Sequence, residues 1–171
     1  MTDVRVFDSL TMPIPIVLPS STTATRESDV SPREMMIAFS RLRAQNARVV
    51  TAFSSRAGIS PTEFRALYFV VANPDATPKR VAAHLGLTPG ATTSLLDRLE
   101  AAGHTVRVAN PADRRSLLLQ ATPQGRDVVH DAGRAYEEAF ADSITPAHRR
   151  AVFGAFVALG DQLEELGDKL D

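Results

Sequence analysis

From Pro32 the apolar residues Met35 or Met36, Phe39, Leu42, Val49 and Phe53 recur three or four apart, with Asn46 on the same face. That spacing predicts one long amphipathic helix. Ser31-Pro32 and Glu34 supply its start and Gly58 its stop. A second helix is expected from Ser60-Pro61, with Phe64, Leu67, Tyr68 and Val71 inward, ending before Asn73-Pro74. The same start then recurs at Thr77-Pro78, Thr88-Pro89, Thr122-Pro123 and Thr145-Pro146. In each, a hydroxyl faces the orphan backbone N–H groups and proline takes the first helical position.

The Thr77 helix is short, burying Val81, Ala82 and Leu85 before Gly86, and the Thr88 helix buries Leu95, Leu96 and Leu99 before Gly103. Between Gly103 and Thr122 the helical period disappears. Val106-Arg107-Val108 and Leu117-Leu118-Leu119 read as two strands around Asn110-Pro111-Ala112-Asp113-Arg114-Arg115, a hairpin with a basic tip. The Thr122 helix carries Val128, Val129, Ala132, Tyr136 and Phe140 on a stripe, and the last helix Val152, Phe156, Leu159, Leu163 and Leu166. The predicted fold is mainly α with a small β wing: a winged helix-turn-helix, with N- and C-terminal helices forming a dimerisation lobe.

Charge sharpens that picture. Between Thr77 and Arg126, seven bases face only Asp97, Glu100 and Asp113, a net charge of +4, although the 171-residue chain is −1 overall. After Arg126, ten acids meet four bases, giving −6. A near-neutral chain with one positive module is suited to hold a polyanion on that module alone.

The positive module has the order helix, glycine turn, helix, hairpin. Gly86 permits the sharp change of direction between the two helices. The second then presents Thr88, Pro89, Gly90, Thr93 and Ser94 at its exposed start, residues small enough for close approach to a major groove, with Arg98 one turn further on. Arg114 and Arg115 at the hairpin tip suit a phosphate backbone or minor groove, and Lys79, Arg80 and Arg107 suit phosphates. Any one of these bases alone is an ordinary solvated charge. Ordered together on a helix start and a wing tip, they read as a nucleic-acid face.

Four runs carry a family resemblance: Val81-Ala82-Ala83-His84-Leu85-Gly86-Leu87, Leu95-Leu96-Asp97-Arg98-Leu99-Glu100-Ala101-Ala102-Gly103, Pro111-Ala112-Asp113-Arg114-Arg115, and Ala121-Thr122-Pro123-Gln124-Gly125. Over roughly residues 32 to 168 the chain resembles the MarR family of bacterial transcription regulators. The resemblance implies a homodimer held by the first and last two helices, reading a pseudo-palindromic DNA operator, most often as a repressor. It also implies a tie from Asp97 to a wing arginine, Arg114 or Arg115 in the minor groove, and release of DNA by a small, often aromatic, anion. Phe53, Phe64, Arg65, Tyr68 and Tyr136 are the candidate crevice residues, with plain core as their other reading. The chain departs from the family pattern at His104-Thr105-Val106, where an apolar pair and a charge are usual, at Asn110, where an acid often stands, and in its amino-terminal extension.

On this basis residues 1–30 are an appendage, either a disordered tail or a dimer-swapped arm. Residues 31–59 form a dimerisation helix, 60–121 the DNA-binding region and 122–171 the C-terminal dimerisation helices. With no cysteine there is no disulfide, thiolate metal site or thiol-based sensing. No phosphate-binding loop, nucleophile elbow or metal-spaced histidine pair is present, so no enzyme, cofactor or metal is expected. Neither a secretory signal nor a membrane span is apparent, and a cytoplasmic location is expected. The alternative is a winged-helix protein-interaction module without DNA binding, which would show a neutral wing and large exposed apolar residues on the second helix.

Overall fold

A computed structural model describes residues 30–113 and 116–170. The element order is α1 (Pro32–Arg56), α2 (Pro61–Ala72), α3 (Pro78–Leu85), α4 (Pro89–Ala101), β1 (Thr105–Ala109), β2 (Leu117–Ala121), α5 (Pro123–Ser143) and α6 (Pro146–Asp168). Each predicted element is present. The reading of residues 1–30 concerns positions that, except for Val30, lie outside the described residues.

The helix starts follow from local chemistry. Ser31 and Ser60 form capping boxes with Glu34 and Glu63, in which the hydroxyl accepts a backbone N–H and the glutamate accepts the serine N–H in return. Thr77 and Thr88 accept from the Arg80 and Ala91 N–H groups, and Thr122 from Gly125 N–H. Thr145 departs from the expected device. Its hydroxyl makes no backbone cap bond and instead lies 2.8 Å from His148 Nδ1.

The described residues fall into two compact units, divided after Arg126. In the first, Phe64, Leu67 and Val70 of α2, Val81 and Leu85 of α3, and Leu95, Leu96 and Leu99 of α4 form the core with Leu119 of β2. Leu67, Leu96 and Leu99 are at most 1% exposed, and truncating any one to alanine is expected to cost about 2–5 kcal/mol. The wing is an antiparallel pair in register Thr105↔Ala121 through Ala109↔Leu117. Leu119 N–H also donates to Ala76 O at 2.8 Å, so β2 is held by the α2–α3 connection as well as by β1.

The predicted stripe of α1 is not a core stripe within the described chain. Met35, Met36, Leu42 and Val49 are exposed, and Ser54 is the buried residue of the helix. Tyr68, expected inward on α2, is 41% exposed. In the second unit Val129 and Ala132 of α5 and Gly160 of α6 are buried, Phe140 meets Phe156 edge to face at 6.5 Å, and Phe153, Leu159 and Leu166 are exposed.

Candidate nucleic-acid interface

The α3–α4 turn is made at Gly86, whose φ of 63° is left-handed and suits glycine. Beyond it, Thr88, Pro89, Gly90, Ala91, Thr93 and Ser94 are exposed while Thr92, Leu95, Leu96 and Leu99 face the core. A Cβ on Gly90 would meet nothing within 4 Å, so this end of α4 is open to an approaching surface. Thr93 donates its hydroxyl proton to Pro89 O at 3.0 Å.

The basic residues divide by what already holds them. Arg98 donates from Nε to the buried carboxylate of Glu63 at the start of α2. Burial, the largest influence on Glu63, works to raise its pKa. The Ser60 N–H, Arg98 and the Ser60 hydroxyl outweigh it and leave the carboxyl below its ordinary value. Arg107 on β1 reaches back to α4, 2.6 Å from Asp97 and 2.5 Å from Glu100, and its backbone N–H donates to Glu100 as well. Arg80 pairs with Asp75 and bonds Asp75 O and Asn73 Oδ1 at 3.2 and 3.3 Å. Lys79 stands exposed on the first turn of α3. Arg114 and Arg115 lie outside the described residues.

These ties convert part of the basic segment into scaffold. The Asp97–Arg107 bond joins α4 to the wing through a strand arginine. Glu63 and Glu100, which the sequence reading passed over, hold two of the bases. The capping-box spacing of Ser60 and Glu63 was the signal available for the first.

At the wing tip, Asn110 uses both ends of its amide: Oδ1 accepts Ala112 N–H at 3.0 Å and Nδ2 donates to Ser116 Oγ at 2.8 Å. This closes an Asx-type turn. His104 and Thr105 are 1% and 2% exposed and fill the positions where the family pattern has an apolar pair. His104 Nε2 lies 3.2 Å from Ala57 O, while Nδ1 has no hydrogen-bond partner among the described residues. The hairpin root is fixed from α5 too, because Thr122 donates to Gly103 O at 2.7 Å and its N–H meets His104 O.

Of the crevice candidates, Phe53 and Phe64 stack with centroids 6.5 Å apart, and Arg56 lies over Phe53 at 5.8 Å. Arg65 is half-buried, and burial lowers its pKa. Tyr68 is exposed. Tyr136 belongs to the second unit, where burial raises its hydroxyl pKa. Among the described residues no three His, Asp or Glu side chains gather as a metal site requires, and no described helix is long and apolar enough to cross a membrane.

A short helix, a glycine turn, an exposed second helix and an anchored two-stranded wing define a winged helix-turn-helix protein. Residues 57–116 match the sequence model of the MarR family, and the curated proteins that the chain resembles are transcription regulators rather than enzymes. It is 33% identical over 78 residues to the multiple antibiotic resistance protein MarR of Salmonella typhimurium, covering 46% of this chain and 54% of that one. This relative and the Bacillus subtilis regulator YkoM are spanned over about half to two thirds of their length. Among solved structures, Streptococcus pneumoniae FabT in complex with DNA is 26% identical, with a TM-score of 0.60 over 77% of this chain and 98% of that chain. CouR from Rhodococcus jostii bound to p-coumaroyl-CoA is 25% identical, with a TM-score of 0.59 over 74% and 89%.

Proposed function

We propose that the chain is a homodimeric, sequence-specific DNA-binding repressor acting in the cytoplasm, and that a small aromatic ligand releases it from its operator. The observation that carries this reading is the exposed, small-residue start of α4, with a wing fastened beside it by Arg107. A surface of that shape accepts a duplex, whereas an adapted protein-docking face would carry bulk. Among the described residues of α4 no large apolar side chain is exposed. The similarity to FabT, solved with DNA, supports the same choice.

In this reading Thr88, Pro89, Gly90, Thr93 and Ser94 enter the major groove, and Lys79, Arg114 and Arg115 contact phosphates or the minor groove. Arg80, Arg98 and Arg107 chiefly hold the module in shape, because each already has a carboxylate partner. Dimerisation is supported by apolar surface left uncovered on α1 and on α6, where Phe153 is 65% exposed. Residues 31–59 and 122–171 would supply the dimer contacts and residues 60–121 the DNA module. The stacked Phe53 and Phe64, with Arg65 and Tyr68 on α2, support an aromatic effector, as does the ligand seen in CouR.

Selection of bound fragments from random duplex DNA at two salt concentrations tests the core of this reading. The expected result is an enriched inverted repeat, with half-sites about ten base pairs apart and steep salt dependence. No enrichment and no retention at low salt would overturn it in favour of a protein-interaction module.

A further inference from the structure

Direct reading of bases in the major groove ordinarily depends on forked donors: arginine or lysine on guanine, asparagine or glutamine on adenine. The exposed positions of the first turns of α4 offer none. They are Pro89, Gly90, Ala91, Thr93 and Ser94, and the next two exposed residues are Asp97 and Arg98. Asp97 is engaged by Arg107. Arg98, the one base of α4, is drawn at Nε toward Glu63 of α2 and stands about two and a half turns beyond the helix start.

Most hydroxyls of this end are engaged as well. Thr88 accepts Ala91 N–H in the cap, and Thr92 is buried and donates to Thr88 O. Thr93 donates its proton to Pro89 O, so what it offers outward is a methyl group and oxygen lone pairs. Ser94 is the hydroxyl of this end with no hydrogen bond among the described residues. The remaining outward surface is mostly methyl and ring methylene. In the major groove that surface has one matching feature, the 5-methyl group of thymine.

We propose that α4 reads thymine 5-methyl groups through the methyl of Thr93 and the apolar surface of Pro89 and Ala91, with Ser94 supplying the hydrogen bond to a neighbouring base edge. This rests on the DNA-binding reading above and adds what the helix recognises. Gly90, with open space around its Cα, lets that surface approach the base edges closely.

The test uses the full chain and a duplex enriched in the selection, compared with the same duplex carrying deoxyuridine in place of thymidine. The two offer the same hydrogen-bonding edges and differ by the methyl group. Affinity is expected to fall roughly fourfold for each methyl that contacts the helix, the effect of one buried methylene-sized group. Thr93→Ser keeps the hydroxyl and its bond to Pro89 but lacks the methyl. It is expected to bind the thymidine duplex more weakly and to lose sensitivity to uracil at the contacted position. Equal affinity of the native chain for both duplexes overturns the proposal, as does undiminished uracil sensitivity in Thr93→Ser. Failure to retain any duplex instead overturns the DNA-binding reading itself, so the two failures are distinct.

Discussion

Arg98 of α4 donates its Nε–H to the buried carboxylate of Glu63, thirty-five residues earlier at the first turn of α2. The same carboxylate accepts the Ser60 N–H at 2.8 Å. One side chain therefore caps α2 and fixes the direction of α4.

Glu63→Ala is expected to cost about 2 kcal/mol, because it removes a cap and a charged hydrogen bond together. Arg98→Ala should cost about 1 kcal/mol, since Arg98 is largely exposed and Glu63 keeps its Ser60 bonds. Urea unfolding of both single variants and the double variant checks this. Additive losses would show that the pair is not coupled.

The same pairing separates two kinds of base in DNA binding. Lys79→Gln should reduce the slope of log affinity against log salt by about one per half-site, as loss of a phosphate contact does. Arg98→Gln should leave that slope nearly unchanged. Equal slope changes in the two variants would place Arg98 on a phosphate.

Arg107 bonds Asp97 and Glu100 at the root of the wing. Arg107→Ala should weaken binding to every duplex alike by releasing the wing from α4, and Arg107→Lys should restore it poorly, because an ammonium lacks the planar fork. A fully active lysine variant would show that charge alone suffices there.

Gly125 and Gly90 make a contrasting pair. A Cβ at Gly125 would overlap the His104 carbonyl oxygen and stand 3.0 Å from its carbon and 3.1 Å from Leu67 Cδ1. Gly125→Ala is expected to destabilise by about 1–3 kcal/mol, the usual cost of overpacking. Gly90→Ala meets open space inside a helix and should stabilise by up to about 1 kcal/mol while weakening DNA binding. Thermal melts and binding curves on both variants decide it.

His84 stacks on Phe69 at 4.5 Å, beneath the influence of Arg65 and near Arg80, which lies over the same ring. Burial first, and the Arg65 charge second, hold its pKa below the ordinary 6.5. The folded chain therefore resists a proton that the unfolded chain accepts, and stability should decline as pH falls below about 6.5. Denaturant midpoints of the native chain and His84→Gln between pH 7.5 and 5.5 should show a smaller decline in the variant. Identical declines would remove His84 as the source.

Local signals accounted for the fold. Ser31, Ser60, Thr77, Thr88 and Thr122 announce helices because the groups they satisfy lie within three or four residues. The exposed start of α4 was legible for the same reason, since its periodicity assigns Leu95, Leu96 and Leu99 to the core. What the basic residues do was less legible. Arg98 finds its partner thirty-five residues away and Arg107 its partners seven and ten away, and charge counting cannot tell a scaffold arginine from a free one. The exposed stripe of α1 shows another limit, because periodicity marks an apolar face without saying whether the chain itself covers it.

The bond from Leu119 N–H to Ala76 O joins the wing to the connection from which α3 starts. With Arg107 fastening the hairpin to α4 and Thr122 fastening it to the head of α5, its root is gripped from three directions. Its placement against α3 and α4 is set there. A hairpin anchored in this way keeps its place beside α3 and α4 through its root, which gives both natural variation and engineering a fixed base to build on.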